Sequence, residues 1–354
     1  MKPQLQHLAS PPLLSQPAPA DLPDARHPAS PARRGVPAWI SVGLVEDSDQ
    51  RLLDLRNGLL QRPAHISPKF FYDAQGCALY SAICELAEYY PTRTEAAIFE
   101  RHRDAIARRL PRGVQWVDLG CGDGAKSWPW LKPVEARRWV GVDISPEWLS
   151  MSLQAGGQQF VEVEFVGVAT DFTRPLQLHH VLGQRPHWPR VFFYPGSSIG
   201  NFPPEQALAL LGSVREHLGP EGRLLIGIDG VKDKAVLEAA YDDALGVTAA
   251  FNRNVLRVVN RELDADFDAR RFAHRAVFNS RDSRIEMHLV AQGVQQVHLG
   301  TDQRVFDDGE AIVTEYSYKY TPESFAALLR EAGFGSSWHW SDERGWFHVF
   351  VAGA

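Results

Sequence analysis

The chain has 354 residues, of which 44% are hydrophobic, 23% charged and 10% aromatic. That length suits two domains, or one large domain with an insertion, and buries enough surface to hold a core without disulfides. Lys and Arg total 37 against 43 for Asp and Glu, and this net charge of −6 argues against nonspecific nucleic-acid binding, where basic side chains must neutralise phosphates.

Nine of the 24 prolines fall in the first 37 residues. Proline removes backbone donors and favours extended chain, so residues 1–38 are expected to be a disordered tail. Short apolar runs then alternate with amphipathic segments from about 113 to 230. VQWVDLG (114–120), RRWVGVDIS (137–145), VEVEFVGVATDF (161–172), VFFYPGSSIGN (191–201) and GRLLIGIDG (222–230) each contain a predicted strand, with a helix in PPEQALALLGSVREHLG. Strands separated by helices of this size indicate an α/β fold with a parallel sheet.

Residues 231–265 read as mostly helical. IEMHLV (285–290) and VQQVHL (294–299) flank Gly293 and suggest an antiparallel hairpin. In TPESFAALLREAGF, Thr321 is a candidate helix cap with Pro322 at the first helical position. SSWHWSD and GWFHVFVA then read as antiparallel strands joined by DERG. The sheet domain thus pauses near 230 and finishes after 320.

Cys77, Cys84 and Cys121 are too few and too irregular for a disulfide framework or a zinc cluster, and no metal is expected. No apolar run approaches the ~18 residues of a membrane span, and MKPQLQHL opens no signal-peptide core. A cytoplasmic protein with no nucleic-acid or membrane partner, and no obligate protein partner, is the expectation.

Gly120, Gly122 and Gly124 follow the first predicted strand of the alternating region, and Asp143 ends the second. Such a loop permits a tight turn and close ligand approach, while the carboxylate is placed to accept from ribose hydroxyls. The spacing is not G-x-G-x-x-G, and there is no phosphate loop of the G-x-x-x-x-G-K-[ST] type. S-adenosylmethionine, which carries adenine, ribose and an amino-acid end but no pyrophosphate, fits better. Asp171 and Phe172 close the third strand, where they suit the adenine edge; capping for Asp171 and core packing for Phe172 are the plainer alternatives.

PKFFYDAQG, EYYPTRTE, YPGSSIGN, VKDKAVLEAAYDD, GVTAAFNRNVL, IEMHL and TEYSYKY occur in that order from Pro68 to the C-terminal region. Together they resemble the ergothioneine-pathway L-histidine Nα-methyltransferases, which use S-adenosylmethionine and form hercynine by three methylations. The resemblance implies a Rossmann-like class I methyltransferase fold with a discontinuous substrate-binding insertion domain. Residues 94–230 plus 320–354 would form the methyltransferase domain, and 39–93 plus 231–319 the substrate-binding domain. It further implies that Tyr72, Gly120, Gly122, Lys126, Asp143, Asp171 and Phe172 contact the methyl donor.

For L-histidine itself, the resemblance points to Asn201 and Tyr241 at the amino-acid head, with Gly196 as a close backbone contact. Glu315 and Ser317, two apart on an extended segment and so on one face, would meet the imidazole along with Tyr89. Tyr80 and Met287 would wall the acceptor. Two departures stand out: Ser198 replaces the threonine of the usual GSTIGN, and DLGCGDGAKS differs from ELGSGTSEKT in the glycine loop. The alternatives are a methyltransferase for another amino acid or aromatic amine, or a noncatalytic ligand-sensing module.

Overall fold

The computed structural model describes residues 38–40, 48–171 and 174–354. In chain order the first strands are β1 (Ala38–Ile40), β2 (Ala64–His65), β3 (Gln115–Leu119), β4 (Arg138–Asp143), β5 (Glu164–Ala169), β6 (Arg190–Tyr194) and β7 (Arg223–Asp229). They are followed by β8 (Phe272–Asn279), β9 (Arg284–Ala291), β10 (Gln295–Leu299), β11 (Asp302–Phe306), β12 (Ala311–Tyr318), β13 (Ser336–Ser341) and β14 (Phe347–Gly353). The helices are α1 (Ser48–Leu60), α2 (Ala74–Cys84), α3 (Tyr90–Ala107), α4 (Trp128–Leu131) and α5 (Pro146–Gln159). After them come α6 (His179–Leu182), α7 (Pro204–Leu218), α8 (Lys234–Tyr241), α9 (Val247–Leu263) and α10 (Pro322–Glu331).

Every residue of β3 is buried, as in a strand covered on both faces, and its two polar side chains are satisfied internally: Gln115 donates to the Leu182 and Arg185 carbonyls and Asp118 accepts from Ser127. The strand lies inside an eight-stranded sheet of order β1-β5-β4-β3-β6-β7-β14-β13. The first six strands of that order run parallel, and β14 and β13 close the sheet as an antiparallel pair. This is the Rossmann-like class I methyltransferase fold. One apolar core covers each face, one built around Val117, Val140 and Phe192, the other around Trp116, Trp139 and Phe193. The chain turns from β3 toward β4 on one side and returns to β6 on the other. Ligands of open α/β sheets bind at such a switch, beyond the carboxyl ends of the strands.

A second sheet, of order β2-β12-β9-β8, packs on α2, α8 and α9 around Phe71, Leu237, Phe251, Val255, Met287 and Ile312. In β9 buried and half-buried residues alternate strictly, as expected for one core-facing side. Thr321 caps α10 through a capping box with Ser324, and Pro322 occupies the first turn.

Two expectations need correction. Residues 285–290 and 294–299 do not pair: β9 lies between β8 and β12, whereas β10 pairs with β11. The segment FAHRAVFN supplies the true hairpin partner, turned by Asn279, whose side-chain oxygen accepts from the Arg281 and Asp282 amides. Gly293 instead donates its amide to Asp308. Ala38, assigned to the tail, pairs with Val166 in the large sheet. The rest of the predicted tail, 1–37, lies outside the described residues. Among the described residues no helix is long and apolar enough to cross a membrane.

Candidate active site

A cleft of about 560 Å³, open mouth included, lies where the carboxyl ends of the large sheet meet the small one. Tyr80 reaches it from α2, Tyr89 from the residue before α3, and Tyr241 from the last position of α8. Met287 comes from β9, and Glu315 and Ser317 from β12. Gly196 and Asn201 complete the wall after β6, with Tyr72 at the mouth. Every residue assigned to the acceptor from the sequence therefore lines this one cleft.

The turn after β6 explains how Asn201 arrives there. Gly196 has φ +77°, a conformation in which a side chain would be strained, and its added Cβ would sit 3.2 Å from Lys126 Nζ. Ser197 follows in the left-handed region, and its hydroxyl accepts from the Asp229 amide at 2.8 Å. Gly200 lies so close to β12 that a Cβ would meet the Tyr318 carbonyl at 2.7 Å. The Asn201 amide makes no side-chain hydrogen bond among the described residues, which leaves it available to a ligand.

Glu95, buried in α3, braces the same turn. Its Oε1 accepts from the Gly196 amide at 2.7 Å and its Oε2 from Lys126 Nζ at 2.9 Å. One carboxylate thus holds together a backbone on the acceptor side and a cation beside the glycine loop.

On β12 the register shifts between Val313 and Glu315, after which Glu315 faces Met287 and Ser317 faces Ile285 across the ladder. The Glu315 carboxyl has no hydrogen-bond partner among the described residues. Burial pushes its pKa up to about 7, with Lys319 pulling the other way. Lys319 is fully buried and donates to Tyr241 Oη at 2.9 Å, Ser317 Oγ at 2.8 Å and Asp229 Oδ2 at 2.8 Å. Tyr241 Oη and Ser317 Oγ are themselves 2.8 Å apart. Asp229 also takes hydrogen bonds from Tyr90 and Lys232. Burial opposes its charge, but the two lysines win and hold its carboxyl below the usual range.

The glycine loop behaves as expected of a ligand cradle. Gly120, Gly122 and Gly124 all have positive φ, and a Cβ on Gly122 would meet nothing within 4 Å. Asp143 holds the loop through the Gly122 amide at 3.0 Å and caps the next turn through Ser145 at 2.9 Å. Burial raises its pKa against these bonds. Asp171 is buried 3.8 Å from Lys69; Phe172 lies outside the described residues. Open space beside Gly122, rimmed by a carboxylate, fits a ribose-bearing ligand.

Tyr72 connects the two regions. Tyr72 is 38% exposed as a whole, but desolvation still raises its phenol pKa, and Tyr80, Glu315 and Asp143 act in the same direction. Its ring stands edge-on to Tyr80 at 6.0 Å and to Phe251 at 6.3 Å. Phe251, Thr248 and Ser197 line the cleft but were not singled out in the sequence. Lys319 was missed too, although it continues the Glu315–Ser317 alternation by two more residues. Glu95 sat within EYYPTRTE, where nothing in the spacing distinguished it from a solvated helix residue. Among the described residues no group of His, Cys, Asp and Glu could hold a metal ion.

Residues 52–354 match the family described as "Histidine-specific methyltransferase, SAM-dependent". The chain is 41% identical over 318 residues to the histidine N-alpha-methyltransferase of Mycolicibacterium smegmatis, covering 87% of this chain and 97% of that one. The protein of the same name from Mycobacterium tuberculosis is 41% identical over 317 residues, with the same coverage. Ergothioneine biosynthesis protein 1 of Schizosaccharomyces pombe is 27% identical over 275 residues, covering 74% of this chain and 35% of that one.

Proposed function

The chain belongs to the histidine-specific, S-adenosylmethionine-dependent methyltransferases, and from that membership we propose that it methylates the α-amine of L-histidine three times to form hercynine for ergothioneine biosynthesis. The observation that carries the reading is the convergence of Asn201, Tyr241, Glu315 and Ser317 on one cleft, whose Gly196 turn shares Glu95 with Lys126 after the glycine loop. A carboxylate and a hydroxyl pair suit the two nitrogens of an imidazole, and an amide can both accept from an ammonium and donate to a carboxylate.

Bound S-adenosylmethionine supplies an electrophilic methyl group on a sulfonium. Gly120, Gly122 and Asp143 cradle its ribose end in this reading, Lys126 its carboxylate, and Asp171 with Phe172 its adenine, while Tyr72 covers it. Asn201 and Tyr241 hold the amino-acid head against the Gly196 turn. Glu315 and Ser317 grip the ring, with Tyr89 beside them and Tyr80 and Met287 as walls. The segments 39–93 and 231–319 act as the acceptor domain, and 94–230 with 320–354 as the donor domain.

The amine loses one proton before each transfer. Its lone pair then bonds to the methyl carbon while the carbon–sulfur pair leaves with sulfur. No covalent enzyme intermediate is needed, because fixing two reactants in line removes much of the entropic part of the barrier. Tyr72, Tyr80 and Phe251 line the cleft, and aromatic rings there suit the growing ammonium cation.

The test is incubation of purified protein with histidine and S-adenosylmethionine, with products resolved by mass. Additions of one, two and three methyl groups to histidine are expected, and histidine should outcompete other free amino acids. No methylated acceptor at saturating donor would end the reading.

A further inference from the structure

Lys319 belongs to no motif position assigned above, yet it is the most thoroughly enclosed cation beside the cleft. Its ammonium has three N–H groups, and all three are spent, on Asp229, Tyr241 and Ser317. An ammonium cannot accept. Tyr241 Oη and Ser317 Oγ must therefore each give a lone pair to it.

The two hydroxyls also bond to each other, which uses one of their two protons. If Tyr241 donates, the Ser317 proton remains; if Ser317 donates, the Tyr241 proton remains. Neither hydroxyl has another acceptor among the described residues, and both line the cleft. Either way the pair keeps one proton to offer a ligand, while Lys319 and the mutual bond take up all but one of its lone pairs. Glu315, two residues before Ser317 on the same strand, faces the cleft as an acceptor when ionised.

We propose that Lys319 is a positioning residue that sets the polarity of this hydroxyl pair, so that the cleft selects neutral imidazole with one bare nitrogen facing the hydroxyls and its N–H facing Glu315. The inference rests on histidine being the acceptor. An imidazolium, with both nitrogens protonated, would leave the free hydroxyl proton without an acceptor and turn an N–H toward it. Burial raises the penalty for such a mismatch, because neither partner can turn to water. Charge on the two sides of the ring acts in opposite directions: Lys319 and Lys232 outnumber Asp229 behind the hydroxyls, whereas ionised Glu315 attracts positive charge, so the choice of the neutral ring rests on where the hydroxyl proton points. Asp229 keeps Lys319 charged, raising its pKa against the opposing effect of burial.

The experiment measures dissociation constants by calorimetry, with S-adenosylhomocysteine present so that no reaction occurs. The ligands are histidine and β-pyrrolylalanine, which keeps a ring N–H but lacks the bare ring nitrogen. In Lys319→Met, histidine should bind roughly ten- to a hundredfold more weakly, the range for a buried neutral hydrogen bond left unsatisfied, while the pyrrole binds as before. An equal loss for both ligands would make Lys319 merely structural and overturn the proposal. A second measurement needs no variant: ¹⁵N spectra of ring-labelled histidine bound to the native protein should show one protonated and one bare nitrogen. A bound imidazolium overturns the inference even if histidine proves to be the acceptor. If histidine does not bind at all, the acceptor reading itself has failed.

Discussion

Tyr241 Oη and Ser317 Oγ lie 2.8 Å apart, although one side chain ends α8 and the other projects from β12. The resemblance assigned them to opposite ends of the amino acid, the head and the ring. Their contact makes the two subsites continuous, so disturbing either hydroxyl disturbs both ends of the ligand. Tyr241→Phe and Ser317→Ala should each lower kcat/KM for histidine roughly tenfold, the value of about one hydrogen bond. The double variant should lose less than the product of the two, with a coupling of about 1 kcal/mol. Multiplicative losses would mean that the hydroxyls act independently.

Glu315 should set the acid limb of the pH profile. Its carboxyl pKa is raised to about 7 by burial, so the group is protonated below that pH and ionised above it. Only the ionised form is purely an acceptor for a ring N–H. kcat/KM for histidine should therefore rise as pH increases through about 7. Glu315→Gln removes this ionisation and leaves the substrate ring, with an ordinary pKa of ~6.5, as the remaining group, so the limb should become less steep. An unchanged profile in the variant would separate Glu315 from the limb.

The large sheet was legible because its strands are covered on both faces and read as short, largely apolar runs, as in VFFY and LLIGI. The acceptor residues were legible for another reason: they sit in unusual segments whose order matched a family. What escaped was pairing and depth. Nothing local shows that β9 turns back to FAHRAVFN rather than forward to VQQVHL, since both neighbours mix polar and apolar residues in short extended runs. Lys319 and Glu95 escaped because a charged residue in a sequence reads by default as solvated. Their burial depends on partners at Asp229, Gly196 and Lys126, which are distant in the chain.

Gly196 can be tested against a matched control. Gly196 and Gly246 both have positive φ, +77° and +74°, but only Gly196 borders the cleft. A side chain held at positive φ costs about 1–3 kcal/mol. Gly196→Ala and Gly246→Ala should thus both destabilise the fold in thermal melts. Only Gly196→Ala should also raise the KM values, for S-adenosylmethionine because its new methyl meets Lys126 Nζ at 3.2 Å and for histidine because Gly196 lines the cleft, whereas nothing lies within 4 Å of position 246. Equal kinetic effects would mean that strain alone, rather than the cleft, is responsible.

Glu95 offers the last test, because its two oxygens serve different sides of the site. Glu95→Ala removes the acceptor of the Gly196 amide as well as the partner of Lys126. A buried backbone donor left unsatisfied costs about 1–3 kcal/mol, which denaturant unfolding should report. Glu95→Gln keeps an amide oxygen for Gly196 but turns an NH₂ toward the Lys126 ammonium. That variant should lose less stability than Glu95→Ala, since it keeps the Gly196 bond and leaves unpaired only Lys126, whose side chain reaches solvent. Its kinetic effect should fall on KM for S-adenosylmethionine, leaving KM for histidine nearly unchanged, whereas Glu95→Ala should move both. If the glutamine variant altered histidine binding alone, Lys126 would have no part in holding the methyl donor, and Glu95 would act only through the turn that carries Asn201.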